Sequence, residues 1–402
     1  MTPLGAAMPD GRPSSPALAV FPLPGGLLAL NPTNGVLQAV EGLGAWLLLG
    51  WQQGLDAAQL HAEHAAAFPD TRLTLAALQK QFHQLRAAFA TPPEDNAYRQ
   101  EYQAVLASPV DPARDGEGMG LNINGFRVQV ISPDYPALLA EWQRLCAWQM
   151  LATPFRPHAQ FVIHREAGGH FSLDCNGQSL CTGVTETATL PVLMDLIQIL
   201  SYQRGDYLLA VHAAVLAKAG RTLILPGLSG AGKSTLCTHL ATQGFTVYSD
   251  ELAVLCAPDA SAQPLPLPLP LAVKSGSWEL LHPHWPELVD APVWERPDGR
   301  RLKYLALPEH ARPTAQAEPG TARHYVVFPH YDPDCVQPQW QPLTELELLS
   351  GLTQAGYQLP RAPDAASVER LLAFACNTPA YRLRYASLEA AQCLILQWLE
   401  SP

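Results

Sequence analysis

Basic residues are scarce in this chain. The 25 Lys and Arg stand against 36 Asp and Glu, for a net charge of −11, which argues against a nucleic-acid partner, because binding along phosphates needs a basic face. Long apolar runs are missing as well. The longest, near Leu43 to Trp51, falls well short of the ~20 residues of a membrane span. The N-terminus lacks the charged and then apolar pattern of a secretory signal, so the expected location is cytoplasmic. Paired cysteines are absent too: Cys146, Cys175, Cys181, Cys237, Cys256, Cys335, Cys376 and Cys393 are scattered without a C-x-x-C pair. A chain of this size needs no staples, and they read as reduced thiols. His282 and His284 have metal-like spacing, but they sit in a Pro-rich segment with no cysteine or carboxylate cluster beside them, and they read as structural or solvent-facing. No internal repeat is found. With 402 residues and 48% hydrophobic content, two or three cores and several domains are expected.

What the chain does contain is one stretch of readable chemistry, Arg221 to Leu255. The apolar run Thr222 to Pro226 has the length of a buried strand. It leads directly into Gly227-Leu228-Ser229-Gly230-Ala231-Gly232-Lys233-Ser234, with Thr235 following, a complete Walker A pattern. Backbone N–H groups of such a loop, together with the start of the next helix, make a cluster of donors for phosphate oxygens. Lys233 is expected to reach the β and γ phosphates of ATP, and Ser234 to offer its hydroxyl to Mg²⁺.

The flanks narrow the expectation. Val211 to Ala217 is a second apolar run, and Lys218-Ala219-Gly220 is a hairpin turn between it and the loop-bearing strand. Folded symmetrically about Ala219 and Gly220, that hairpin sets His212 opposite Gly227. Downstream, a helix from Ser234 to Thr242 ends at Gly244. Phe245 to Ser249 then reads as a strand returning parallel to the first, with Asp250 and Glu251 at its carboxyl end. Ligands of open α/β sheets bind at that edge, so His212, Lys233 and Asp250 are expected to converge.

The segments VHAAVLAKAG, GLSGAGKST and YSDELAVL resemble the HPr kinase/phosphorylase family and its HPr-kinase-related members. The likeness is close from His212 to Leu255 and looser on to Leu383. It implies an HPr-kinase/PEP-carboxykinase-like P-loop core, with Asp250 as the base for an acceptor hydroxyl. His212 and Lys233 would then assist at the phosphates, and Ser234 would bind Mg²⁺. One element departs from the family: its Glu-x-Arg-Gly-x-Gly stretch corresponds here to Leu271-Ala272-Val273-Lys274-Ser275-Gly276-Ser277. The second metal-binding glutamate and the arginine of that element have no counterpart here. Both HPr as substrate and the reverse, phosphorylase reaction depend on it.

Taken in order, residues 1–16 are rich in Pro, Gly and Ser and read as a disordered tail. Residues 17–90 read as a small winged-helix-like module, with two short strands around Gly25-Gly26 and then helices. The last of these, Thr74 to Phe89, carries an apolar stripe of Leu75, Leu78, Phe82, Leu85 and Phe89. The stretch LLALNPTNGVLQAVEG, with Asn31-Pro32-Thr33 taken as the start of a helix, is similar to the PqqD-like peptide-recognition domains. That implies peptide binding, while a packing or oligomerisation module fits the same pattern.

Residues 91–120 read as a linker with at most one short helix. Residues 121–205 form an α+β lobe without a catalytic constellation, whose helix Leu190 to Gln203 shows Leu190, Leu193, Ile197 and Leu200 on one face. Residues 206–402 are the expected kinase domain. Within it, the tract Pro264 to Pro270 reads as an edge strand or connector with inward leucines, and Lys274 as a phosphate or acceptor contact. Arg296, Arg300, Arg301 and Lys303 form a basic patch at a hairpin tip, either solvated or aimed at the transferring phosphoryl group. Tyr381 to Tyr385 reads as an edge strand.

The expected activity is an ATP- and Mg²⁺-dependent kinase acting on a hydroxyl of a peptide, protein or small molecule, with Asp250 as base and Ser234 and Glu251 at the metal. Two alternatives stay open. One is an ATPase whose hydrolysis drives a conformational change, with Asp250 and Glu251 as Walker B carboxylates. The other is a nucleotide-sensing adaptor whose N-terminal module binds a partner. Homo-oligomerisation is left open by the sequence.

Overall fold

The structure is a computed structural model that describes residues 18–90, 98–114, 117–152, 154–205, 207–228, 230–256, 262–313, 323–359 and 365–400. The expected tail at 1–16 and Ser229 of the glycine-rich loop lie outside the described residues. Two compact units follow along the chain, Met1–Pro93 and Glu94–Pro402. The architecture is mixed α/β with several sheets. No described helix is long and apolar enough to cross a membrane.

The first unit opens with an antiparallel three-stranded meander, β1 (Ala19–Leu23), β2 (Gly26–Asn31) and β3 (Val36–Glu41), followed by α1 (Gly42–Gln52), α2 (Ala57–Ala67) and α3 (Leu75–Ala90). Asn31-Pro32-Thr33 does not start a helix. It turns β2 into β3, because the Asn31 side chain accepts from the Thr33 N–H at 3.0 Å and donates to the Phe89 carbonyl at 2.9 Å. Such Asx hydrogen bonds offer the backbone a turn in place of a helix. Asp56 and Gln59 form a capping box on α2, a device whose cap contributes about 1 kcal/mol. Leu27, Ala29, Leu48, Trp51, Leu60, Leu78, Phe82 and Phe89 are buried together as the core. Of the stripe on α3, Leu75 at its first residue stays exposed.

The second unit begins with α4 (Tyr98–Ala107), within the stretch read as a linker, and Val105 of this helix is buried in the core that follows. A six-stranded sheet comes next, built from β4 (Met119–Ile123), β5 (Phe126–Ile131), β6 (Met150–Leu151), β7 (Ala159–Arg165), β8 (Phe171–Cys175) and β9 (Gln178–Val184) in the order β6-β4-β5-β7-β8-β9. Two helices, α5 (Pro136–Cys146) and α6 (Thr189–Gln203), contribute to its core. Leu190, Leu193, Ile197 and Leu200 of α6 are fully buried with Trp142, Phe161 and Phe171.

The largest sheet is built around β10 (Leu209–Lys218), whose near-continuous apolar sequence suits a strand paired along both edges. It turns at Ala219 and Gly220, both at positive φ, into β11 (Arg221–Pro226), as a two-residue hairpin requires. After the glycine-rich loop come α7 (Lys233–Ala241), β12 (Thr246–Ser249), β13 (Leu252–Cys256) and β14 (Gln263–Leu265). A small sheet follows, from β15 (Leu271–Lys274), α8 (Trp278–Leu281), β16 (Trp294–Glu295) and β17 (Arg301–Leu305), with strand order β15-β17-β16. The chain closes with β18 (Arg323–Tyr331), β19 (Gln339–Leu343), α9 (Glu345–Gln354), β20 (Tyr357–Gln358), α10 (Ala365–Asn377), β21 (Ala380–Tyr385) and α11 (Leu388–Glu400).

The main strand order is β14-β13-β10-β11-β18-β21-β19, with β12 and β20 also on β10. Strand β21 is therefore interior, not an edge. It runs parallel to β18 and is covered on its other side by β19, a partner whose sequence QWQPL lacks the apolar run that marks most buried strands. The proline tract behaves as expected: β14 is an edge strand on β13, and Leu267 and Leu269 are buried.

Candidate active site

The loop after β11 is set by its glycines. Gly230 and Gly232 stand at φ +92 and +89, in the left-handed region open to glycine, and Gly232 caps the start of α7. An added Cβ on Gly232 would lie 2.6 Å from the Tyr385 hydroxyl, so β21 closes one side of the turn. Leu228 is exposed, and the Ala231 N–H donates to its carbonyl at 3.1 Å. Lys233, the first residue of α7, is only 4% exposed, and its Nζ donates to the carbonyls of Gly227 at 2.6 Å and Leu228 at 3.2 Å. Among the described residues no carboxylate lies within ion-pair distance of Lys233. Burial, and then the charge of Lys274, push its ammonium down to about 8. Ser234 is half-buried beside it, and Thr235 Oγ1 shares a 2.6 Å hydrogen bond with Ser277 Oγ.

The hairpin register ends at Ala213 opposite Pro226. One residue earlier on that edge the His212 N–H donates to the Gly356 carbonyl at 3.0 Å, just before β20, so the expected pairing of His212 with Gly227 is replaced by one with Gly356. On the other edge of β10, His212 pairs with Leu252 of β13, which brings Glu251 alongside. His212 Nδ1 lies 3.9 Å from Glu251 Oε1. The imidazole is pushed down to about 4 by burial first and then by Lys233, so it is neutral at pH 7.

Glu251 is held from a further direction by Arg296. One Arg296 nitrogen lies 3.6 Å from Glu251 Oε1, and another donates to Asp195 Oδ2 at 2.8 Å. A line of polar contacts thus runs from the neutral His212 through the charged Glu251 and Arg296 to Asp195. Burial pushes the Asp195 carboxyl up to about 6, against the pull of Arg296.

Asp250 follows β12 and is 5% exposed. Its Oδ2 accepts the backbone N–H of Ala272 at 2.8 Å, which ties the bend after β12 to the second residue of the small sheet's β15. Burial, and then the neighbouring Glu251, push its carboxyl up to about 7. Lys274, at the end of β15, opposes this rise and also depresses both His212 and Lys233, so its charge is felt at all three groups. One expectation is corrected in its geometry. Strand β12 does run in the direction of β11, but it is not its neighbour: β10 lies between them, antiparallel to both.

The expected basic patch is divided among separate partners. Arg296 turns to Glu251 and Asp195, Arg300 to Asp298 at 2.7 Å, and Arg301 lies over the Trp278 ring at 5.7 Å. Lys303 is buried on the carbonyls of Leu288 and Val289. Sequence reasoning missed Asp195 altogether. The signal was there: it is the sole charge in the largely apolar helix TLPVLMDLIQILSYQ, and a charge on such a helix needs a partner. It also missed Tyr385, whose contact with the loop exists only in the folded sheet. Compared with protein-family models and with curated proteins, the chain gives no match.

Proposed function

We propose that the chain is an ATP- and Mg²⁺-dependent kinase that transfers the γ-phosphoryl group to a hydroxyl of a peptide, protein or small molecule. In this reading residues 206–402 are the P-loop kinase core, 121–205 an α+β lobe, and 17–90 a winged-helix-like module that binds a peptide. The observation that carries the reading is Lys233: a buried ammonium with no carboxylate at ion-pair distance, resting on two carbonyls of a glycine loop and next to a second cation, Lys274. Such a charge is costly to bury alone, and an anion seated on the loop offsets that cost. The triphosphate therefore fits the residues present.

Ser234 and Glu251 would hold the Mg²⁺, which when bound neutralises charge on the phosphates. Glu251 would have to exchange its 3.6 Å contact with Arg296 for the ion, while Asp195 holds the other side of that guanidinium at 2.8 Å. His212, neutral at pH 7 and close enough to Lys233 to feel its charge, would offer a hydrogen bond at the phosphates without adding charge. Asp250 takes the proton of the acceptor hydroxyl, and a carboxyl held near 7 suits a base at neutral pH. A second reading, an ATPase or nucleotide-sensing adaptor, is favoured by the burial of Asp250, which in this conformation leaves little room for an acceptor beside it.

Asp250→Asn separates the roles of that carboxylate. A base predicts near-normal Mg²⁺-ATP affinity, with single-turnover transfer down by about 10²- to 10⁴-fold. Proportional loss of affinity and transfer would instead make Asp250 a metal ligand and refute its assignment as base.

A further inference from the structure

We propose that His239, His284 and Glu389 form a binding site for a zinc-class divalent cation, joining the last turn of α7 to the segment after α8 and to the start of α11. The candidate ligand atoms of the three side chains all lie within 4.8 Å of one another. His284 Nε2 is 3.6 Å from Glu389 Oε1, and the His239 and His284 rings meet at 4.7 Å, nearly perpendicular. Ligands around a tetrahedral zinc stand about 3.3 Å apart, so small rotamer changes close the set.

The hydrogen bonds around His239 assign its nitrogens. Thr242 Oγ1 donates to the His239 carbonyl at 2.7 Å, and Gln243 Nε2 donates to Thr242 Oγ1 at 2.9 Å. Gln392 Nε2 then donates to Gln243 Oε1 at 3.0 Å, which leaves Gln392 Oε1 facing His239 Nε2 at 2.8 Å. An amide oxygen only accepts, so Nε2 carries the proton and Nδ1 carries the lone pair. That Nδ1 is buried and has no hydrogen-bond partner. A metal-bound histidine has this arrangement, with one nitrogen on the ion and the other donating to a carbonyl-type oxygen.

The remaining two ligands suit the same chemistry. Ser387 Oγ donates to Glu389 Oε2 at 2.8 Å, which leaves Oε1 for the ion. The Glu389 side chain is 63% exposed, so solvent reaches the site and supplies the fourth ligand. Two imidazoles with one carboxylate select zinc or cobalt(II) over magnesium and calcium, which prefer all-oxygen sets. The C-terminal end of α7, where the His239 ring sits, adds a favourable field for a cation.

The test uses the full chain, stripped with a chelator and titrated with Zn²⁺ by calorimetry and with Co²⁺ by visible absorption. Because His239 is fully buried, the variants are His284→Ala and Glu389→Gln, on side chains open to solvent. The expected result is one ion per chain, tetrahedral Co²⁺ bands, a rise in Tm with Zn²⁺, and affinity lower by about 10- to 100-fold in either variant. No binding by the parent chain would overturn the proposal. So would undiminished binding in both variants, since the ion would then sit elsewhere, as on the exposed thiols Cys376 and Cys393.

Discussion

Gly232→Ala perturbs the glycine loop in two ways that can be measured apart. At φ +89 a residue with a Cβ is strained by about 1 to 2 kcal/mol. The new methyl would also lie 2.6 Å from the hydroxyl of Tyr385, a ring only 1% exposed on an interior strand, and such overpacking costs about 1 to 3 kcal/mol. The total, about 2 to 5 kcal/mol, should lower the Tm of a unit this size by about 3 to 8 °C. Gly230→Ala is the internal control. It has φ +92 and nothing within 4 Å of the added Cβ, so it carries the strain alone and should fall by about half as much. Shortening the obstacle in Gly232→Ala with Tyr385→Phe should bring the melt back to the level of Gly230→Ala. Tryptophan fluorescence melts of the parent chain and the three variants read these differences, and binding of a fluorescent ATP analogue read alongside should weaken in the same order. Equal melts for Gly230→Ala and Gly232→Ala, or no recovery in the double variant, would refute the placement of Tyr385 against the loop.

Two further predictions concern charge. Lys233→Ala removes a charge-assisted contact to the phosphates worth about 1.5 to 3 kcal/mol, so ATP affinity or transfer should fall at least tenfold. Unchanged affinity in a folded variant would rule out the phosphate role. His212 sits below its usual value, at about 4. As pH falls from 6.5 towards 4 the unfolded chain takes up a proton that the folded chain refuses, so the stability present above pH 6.5 is lost on acidification. The group accounts for at most about 3 kcal/mol. His212→Asn should flatten the acid side of the stability curve relative to the parent chain. Asp250→Asn should do the opposite, because a carboxyl raised to about 7 gains stability as pH falls through 7. Parallel curves for parent and His212→Asn in urea melts between pH 4 and 7 would contradict the charge balance described for the site.

The parts legible in the sequence were those with local causes. The β10–β11 hairpin follows from Lys218-Ala219-Gly220 and two apolar runs, and its register was legible as far as Ala213 opposite Pro226; that His212 then meets Gly356 and not Gly227 is a long-range pairing the sequence did not show. The four apolar positions of α6 and the inward leucines of the proline tract were read from the sequence pattern; the four on α6 are buried, as are Leu267 and Leu269, while Leu265 is half-buried. What was lost in the sequence is what long-range partners decide. Asn31 makes a turn because its amide reaches Phe89, 58 residues away. Strand β21 is interior because β19 covers it. Arg296 read as one arginine of a hairpin tip, either solvated or aimed at the phosphoryl group, and only the fold brings it to Glu251 and Asp195. Strand β12 kept its expected direction and lost its expected neighbour, since the hairpin partner β10 is long enough to serve β11 on one edge and both β12 and β13 on the other.

The most direct test of a kinase built on Lys233 and Asp250 follows the γ-phosphate of labelled ATP. The full chain is incubated with Mg²⁺, labelled ATP and a panel of hydroxyl acceptors, including free serine and short peptides, and the label is traced to acceptor or to free phosphate. The account predicts a phosphomonoester on one acceptor class, stable to acid, formed by the parent chain and lost in both Lys233→Ala and Asp250→Asn. Label released only as inorganic phosphate, at a rate indifferent to every acceptor, would contradict it.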